Sequence, residues 1–117
     1  MIDLSLKSDT IEKIQSEIID RVHKGMNHDI AEIILYGSCA RGDYSDDSDI
    51  DIALIMNCDR QESKKYNDFL ADVSTEIAMK YFAIVNFVCL PYDEFLEKKV
   101  WYPYFINIDS EGKVLYG

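Results

Sequence analysis

The sequence has 117 residues, which suffices for a single domain over residues 1–117 and argues against two full-sized domains. A hydrophobic content of 48 % with only 5 Gly and 2 Pro excludes a disordered or collagen-like chain. The 12 Lys and Arg against 22 Asp and Glu give a net charge of −10, which argues against nucleic-acid binding and favours divalent cations or a basic protein partner.

The hydropathy pattern of the first half predicts one helix followed by two strands. Apolar residues at helical spacing predict an amphipathic helix over residues 9–25. The short apolar run 33–36 predicts a strand covered on both faces, and alternation over residues 49–56 predicts a second strand.

The second half continues the alternation. It predicts a long helix over residues 66–81, a third strand over 83–90 and a short helix over 92–99. Residues 101–108 fit either a helix or a strand, and their aromatic side chains are expected in the core, with any exposed part serving to dock a partner. Residues 113–116 predict a terminal edge strand. The fold class expected from these elements is α/β, with a small mixed sheet flanked by helices.

Cysteine usage and hydropathy predict a cytoplasmic location. Cys39, Cys58 and Cys89 are odd in number and show no metal-ligand spacing, so neither a disulfide framework nor a zinc site is expected. No apolar run approaches the roughly 20 residues of a membrane span, and the N-terminus lacks the pattern of a signal peptide. We therefore expect no contact with a membrane.

Gly37 and Ser38 form the first half of the most informative stretch, residues 35–52. They lie where a buried strand ends and a helical turn begins, so free backbone N–H groups there favour an anion such as phosphate. Gly37 lets the backbone approach a ligand closely, and the Ser38 hydroxyl adds a hydrogen-bond donor. Taken alone, the pair is more often an ordinary Gly-Ser turn.

Asp49 and Asp51 form the second half. They lie two apart on a strand, so their side chains leave the same face and can converge on one site. Paired carboxylates at the end of an apolar strand favour a cation, and Mg²⁺ combines one or two carboxylates with substrate phosphate oxygens. A solvated strand start is the alternative for this pair alone. Gly-Ser, then ten intervening residues and Asp-x-Asp, occurs by chance on the order of once in a thousand such chains.

This combination resembles the minimal nucleotidyltransferases of the DNA polymerase beta superfamily, the MNT group. The resemblance rests on Gly37-Ser38, the Ala40-Arg41-Gly42 context, and Asp49-Ile50-Asp51 preceded by Ser48. It implies a polymerase-beta-like fold in which Gly37 and Ser38 bind the triphosphate of a nucleoside triphosphate and Asp49 and Asp51 hold Mg²⁺ and carry catalysis. It also implies ATP as substrate and a helical partner of the HEPN type, for which many members act as antitoxin.

Charged residues between the two halves have several possible roles. Arg41 can neutralise phosphate charge or brace the carboxylates, and it can equally form a structural ion pair. Asp43, Asp46 and Asp47 predict a solvated loop, with outer contacts to a bound metal as the alternative.

One position departs from the family. The family completes its metal site with a third carboxylate on the strand after the long helix, whereas this chain has Asn86 at the matching position. An amide oxygen can ligate a metal, but it cannot act as a general base at neutral pH. Asn86 is therefore either the third metal ligand or a buried polar group satisfied by backbone. Asp93 follows Pro91 and is expected to cap a helix rather than to supply the missing carboxylate.

Three functions follow from these observations. The first is Mg²⁺-dependent transfer of a nucleoside monophosphate, AMP by the resemblance, to a hydroxyl of a basic protein partner. The second, motivated by Asn86, is a binding module that neutralises its partner by complex formation without catalysis. The third, transfer to a small molecule, would need a substrate-binding domain that this sequence does not show.

Overall fold

The structure of the protein, a computed structural model, describes residues 8–42 and 49–117. The predicted bounds of four strands and three helices agree with the observed bounds within about three residues, which is close to the usual precision for helix and strand ends. The helices and strands, in chain order, are α1 (Ser8–Met26), β1 (Ile30–Tyr36), α2 (Ser38–Arg41), β2 (Ile50–Met56), α3 (Arg60–Ser63), α4 (Asn67–Tyr81), β3 (Val85–Pro91), α5 (Tyr92–Lys98), α6 (Pro103–Glu111) and β4 (Lys113–Tyr116).

The four strands form one mixed sheet in the order β3-β2-β1-β4. β1 pairs antiparallel with both β2 and β4, whereas β2 and β3 are parallel because α3 and α4 connect them. β2 is a central strand, and five consecutive residues, 52–56, are buried in it. The mixed sheet and the edge position of β4 confirm the predicted architecture.

Helices cover both faces of this sheet, and the alternation of side chains along β2 feeds two cores. Ile52 and Leu54 point into the larger core, which α1 and α4 complete on one face. Ala53 and Ile55 point to the opposite face, where α5 and α6 cover a smaller core that includes Phe105. Asp51 and Asn86 point to the same face as this smaller core.

The C-terminal tail contains a helix, where the sequence left helix and strand equally open. Pro103 opens α6, where its missing N–H costs nothing and its fixed φ suits a helix start. The prediction that the aromatic tail residues are core is right for Phe105, which is 4 % exposed, and wrong for Trp101, Tyr102 and Tyr104, which are 58, 42 and 40 % exposed. Asp93 lies in the first turn of α5, which Pro91 precedes as the capping residue, so the expected cap is wrong by two positions.

Within the described residues, no helix combines the length and the hydropathy that crossing a membrane requires.

Candidate active site

Asp49 and Asp51 converge on Asn86. Asp51 lies beside Asn86 in the parallel register of β2 and β3, and Asp49 immediately precedes β2. The Asn86 side-chain amide donates to Asp49 Oδ2 at 3.0 Å and to Asp51 Oδ1 at 3.3 Å. One amide nitrogen therefore bridges the two carboxylates.

The sheet explains why these three side chains meet. Residues two apart on a strand share a face, and neighbouring parallel strands lie about 4.8 Å apart, so a carboxylate pair on β2 can reach an amide on β3. Asp51 and Asn86 point to the face that α5 and α6 partly cover, as do Ala53 and Val88 further along the same strands. Asp49 and Asn86 are exposed and Asp51 is half-buried, so the cluster is open to a ligand.

The Gly37 turn lies against this cluster. A Cβ atom at Gly37 would stand 2.6 Å from Asp51 Oδ2, and the residue has φ +77°, a conformation that favours glycine. The Gly37 carbonyl accepts the N–H groups of Ala40 and Arg41, both at 3.1 Å, which begins α2. The N–H groups at the start of such a turn have no acceptor within it, so those of Ser38 and Cys39 are available to an anion.

The surroundings of the carboxylates have a negative potential. Burial, reinforced by the charges of Asp51 and Asp49, raises the pKa of the Cys39 thiol, whose Sγ lies 3.5 Å from the Asp49 carbonyl. Burial also raises the pKa of Tyr36, together with the Tyr104 hydroxyl 3.2 Å away and the charge of Asp51. Both shifts keep these groups neutral, so the negative charge of the site is carried by the aspartates.

Arg41 forms an ion pair with Glu111. Its guanidinium lies 3.2 Å from Glu111 Oε2 at the end of α6, and both side chains are partly exposed. The structure therefore supplies a structural partner for Arg41 while leaving it one turn of α2 from Ser38. The predicted loop residues Asp43, Asp46 and Asp47 lie outside the described residues.

The oxygen donors of this cluster fit a hard divalent cation. Two carboxylates and, after a rotation of the side chain, the amide oxygen of Asn86 form the ligand type that Mg²⁺ prefers, with the remaining positions left to water and phosphate. In the part of the chain that the structure describes, no group of three or more His, Cys, Asp and Glu side chains could hold a metal. Among the described residues, the charged members of the cluster are Asp49 and Asp51.

Tyr104 is the neighbour of the site that the sequence did not single out. Its ring packs edge-on against Tyr36 with centroids 6.3 Å apart, and Tyr36 is the register partner of Asp51. The position of Tyr36 directly before Gly37 was a usable signal, whereas the contact with Tyr104 depends on how α6 packs.

A mixed sheet that brings Gly-Ser and Asp-x-Asp together is the arrangement expected from the family resemblance, and comparison with known proteins identifies the family. The sequence profile of the nucleotidyltransferase domain family matches residues 11–116. The chain therefore belongs to this family and is an enzyme of the nucleotidyltransferase class, which confirms the resemblance to the minimal nucleotidyltransferases.

A curated relative extends the likeness over nearly the whole chain. The MJ0604 protein of Methanocaldococcus jannaschii, provisionally named a protein adenylyltransferase, is 33 % identical over 105 residues, which cover 90 % of this chain and 97 % of the relative.

Two solved structures share the fold. A toxin–antitoxin crystal structure with AMP-PNP matches with a TM-score of 0.57 at 20 % identity, over 88 % of this chain and 73 % of that chain. A mutant of the toxin–antitoxin MntA–HpeT matches with a TM-score of 0.57 at 18 % identity and the same coverage. These two matches confirm the polymerase-beta-like architecture.

Proposed function

We propose that this protein transfers AMP from ATP to a hydroxyl group of a protein partner in a Mg²⁺-dependent reaction, and that it does so as the antitoxin of a toxin–antitoxin pair. The observation that carries the proposal is the convergence of Asp49 and Asp51 on Asn86 beside the Gly37 turn. The name of the MJ0604 relative supports a protein acceptor, and the AMP-PNP in a structure of similar fold supports an adenine nucleotide.

Different residues of the chain would bind the phosphates and the metal ion. The backbone N–H groups of Ser38 and Cys39 and the Ser38 hydroxyl would hold the outer phosphates of ATP. Asp49, Asp51 and the carbonyl oxygen of Asn86 would hold Mg²⁺, which supplies neutralisation of the phosphate charge and lines up the reacting oxygens. Arg41, at the end of α2, would add a positive charge near the triphosphate, with Glu111 holding its guanidinium in place.

The transfer is an in-line displacement at the α-phosphorus. The acceptor oxygen forms a bond to this phosphorus while the bond to the oxygen that bridges to the β-phosphorus breaks, and pyrophosphate leaves. The hydroxyl proton passes to water or to one of the two carboxylates. Whichever group accepts this proton, Asp49 and Asp51 contribute mainly by positioning the reactants and by their charge. Positioning and electrostatic stabilisation supply most of the catalytic effect in phosphoryl transfer.

The net charge supports the kind of partner. With 22 acidic and 12 basic residues, the protein would attract a basic protein and repel a nucleic acid. A basic helical partner of the HEPN type, as the family resemblance implies, meets this requirement. Such a pair would associate faster at low ionic strength than at high ionic strength.

The test uses the protein, labelled ATP, Mg²⁺ and the product of the neighbouring gene. We expect labelling of the neighbouring gene product, and we expect Asp49→Asn to reduce the rate of labelling about 100-fold or more. Loss of a residue that only orients a metal ligand already costs about 10- to 100-fold in metal affinity or activity. Asp72→Asn, which removes an exposed carboxylate of α4, is the matched control and should label like wild type. An unlabelled neighbour, or equal labelling by Asp49→Asn, would contradict the proposal.

Asn86 favours one second candidate, a module that neutralises its partner by binding alone. In this case Asp49→Asn leaves complex formation and neutralisation intact, and calorimetry detects weak binding or none between the protein and MgATP. A large gain of transfer activity in Asn86→Asp would also favour this candidate, because it would show that the natural amide limits catalysis.

A further inference from the structure

A groove runs along the outer side of β3 and shares Asn86 with the acid cluster, the name used here for Asp49, Asp51 and Asn86. β3 is an edge strand of the sheet, and between it and residues 60–74 lies a groove of about 590 Å³. Asn86, which bridges the two aspartates, lines the groove together with the next three residues of the strand. A volume of this size is typical of ligand sites.

The backbone of β3 offers hydrogen bonds to whatever occupies this groove. The Ile50 N–H donates to the Ile84 carbonyl at 2.8 Å, which fixes the alternation of the parallel ladder. In that alternation the even-numbered residues of β3 bond to β2, and Phe87 and Cys89 direct their N–H and C=O groups outward. An edge of this kind can accept a further strand.

The charges that line the groove are positive, although the protein is strongly acidic. Arg60 and Lys64 are the charged residues among the lining side chains that the structure describes. Arg60 is engaged with Glu94 through two hydrogen bonds, at 2.9 and 2.6 Å, whereas Lys64 is exposed on the 3-10 turn after α3. Lys64 therefore offers the charge with which an acidic occupant would pair.

This positive charge lies at the end of the groove far from the acid cluster. The hydroxyl of Ser74 on α4 donates to the Val85 carbonyl at the beginning of β3. Because α4 runs antiparallel to β3, residues before Ser74 lie progressively further along the strand, which places Lys64 toward Cys89. Three residues of strand separate the two ends by about 10 Å.

The geometry of an in-line displacement links the groove to the reaction. The Gly37 turn ends β1, the carboxylates lie on β2 and the groove borders β3, so these features follow one another across the sheet. If pyrophosphate leaves over β1, the attacking oxygen must arrive from the opposite side, over β3. The groove borders that side of the sheet.

We propose that the acceptor is an extended peptide segment that adds to β3 as a further strand in this groove. Its hydroxyl side chain lies at Asn86, and a carboxylate of the same segment lies toward Lys64. The inference rests on the proposed function, since it specifies the acceptor of that reaction, but docking in the groove can be measured without ATP.

The activity test uses blocked tetrapeptides as probes. Tyr-Ala-Glu-Glu and its reversed sequence cover both strand directions, and the same pair with Lys in place of Glu reverses the charge. With labelled ATP and Mg²⁺ we expect one acidic peptide to be labelled at least about fivefold faster than its lysine counterpart, the size of a partly exposed ion pair. Lys64→Glu should remove this preference, and Lys113→Glu on the opposite edge strand should retain it.

The binding test monitors backbone amides by NMR without nucleotide. The acidic peptide should shift the amide signals of Phe87 and Cys89 and slow their hydrogen exchange, since those amides would gain acceptors. Absence of these changes, equal labelling of acidic and basic peptides, or an effect of Lys64→Glu on ATP affinity alone would overturn the inference. Protection of these amides in a protein that neither binds MgATP nor labels any acceptor would instead refute the proposed function and leave the docking site standing.

Discussion

Gly37 links the turn that we propose to bind phosphate to Asp51, which we propose as a metal ligand. Its φ of +77° and ψ of −159° fall in a region that is nearly exclusive to glycine, and Asp51 fills the space that a Cβ would need. Gly37 is thus required both for the backbone conformation and for the close approach of the acid. No other residue type satisfies both requirements.

This double requirement distinguishes Gly37 from Gly42. Gly42→Ala should cost about 1 kcal/mol, because it introduces a side chain at φ +82° with no atom within 4 Å. Gly37→Ala should cost about 2–3 kcal/mol and abolish nucleotidyl transfer, because it also displaces Asp51. Urea unfolding and transfer assays measure the two effects. Equal stability and activity of the two variants would show that the contact with Asp51 is unimportant.

Asn86 sets the charge of the cluster at two carboxylates, and Asn86→Asp would raise it to three. Without Mg²⁺ the new carboxylate replaces a bridging donor with a third negative charge, so we expect a fall of several degrees in Tm. Added Mg²⁺ should raise the Tm of the variant more than that of wild type. Thermal unfolding in EDTA and in Mg²⁺ tests this expectation.

Asn57→Asp is the control for this experiment. The Asn57 amide donates to the His28 carbonyl at 2.9 Å, away from the aspartate pair. Its replacement should lower Tm by a similar or smaller amount in EDTA, and Mg²⁺ should not restore it. A magnesium response of equal size in both variants would contradict a metal role for residue 86.

Among the elements, α3 and α5 are joined by Arg60 and Glu94. Hydrogen bonds from Arg60, and then from Lys98, lower the pKa of Glu94. This pairing therefore adds stability above the ordinary glutamate pKa of about 4.3 and loses it as pH falls through the lower folded-state pKa. Arg60 is 57 % exposed, so the contribution is modest, about 1 kcal/mol.

Glu94→Gln should accordingly lower the free energy of unfolding by about 1 kcal/mol near pH 7 and by almost nothing near pH 3. Urea titrations between these two pH values measure the difference. Glu97→Gln, at an exposed position of the same helix, is the control. Its difference from wild type in the free energy of unfolding should not shrink between pH 7 and pH 3. A difference at Glu94 that persists undiminished at pH 3 would exclude this ion pair as its source.

The helices and strands were predictable from the sequence where hydropathy is periodic. They were not predictable where contacts between individual residues determine the local structure. Strands β1 to β4 and helices α1, α4 and α5 follow from apolar runs or from the spacing of apolar residues along the chain. The polar break over residues 57–60 concealed α3, although Asp59 caps it by accepting the Glu62 N–H at 2.8 Å, and the Asp-x-x-Glu spacing could have indicated it.

The candidate site was likewise predictable from the sequence only in part. The carboxylate pair and the Gly-Ser turn are adjacent to strands, so spacing predicted that they can meet. The bridging role of Asn86, the ion pair of Arg41 with Glu111 and the contact of Tyr104 with Tyr36 join residues far apart in sequence. Such contacts depend on strand register and helix packing, which no local pattern specifies.

At the scale of the molecule, the sheet separates two cores and the site lies on the side of the smaller one. Phe105 anchors that core and packs edge-on against Tyr104, which contacts Tyr36 beside Asp51. Val73 on α4 lies in the larger core on the opposite face. The two cores therefore differ in their connection to the site, although both stabilise the same sheet.

This asymmetry predicts different consequences for two core truncations. Phe105→Leu and Val73→Ala should each cost about 1–3 kcal/mol of stability. Only Phe105→Leu should also weaken MgATP binding, since it alone loosens the aromatic contacts next to Asp51. Calorimetric titration with MgATP, well below each variant's Tm, distinguishes them. An unchanged affinity in Phe105→Leu, or an equal loss in Val73→Ala, would contradict this connection.

The position of the carboxylates at the beginning of β2 has a consequence for behaviour on heating. Strands at the rim of a sheet fray by local opening, whereas a wholly covered central strand exchanges its amides only when the entire domain unfolds. Asp51 lies in β2, the strand that we expect to exchange most slowly. The spacing of the acids should thus survive until global melting, so that warming accelerates turnover up to a sharp collapse rather than through a gradual decline.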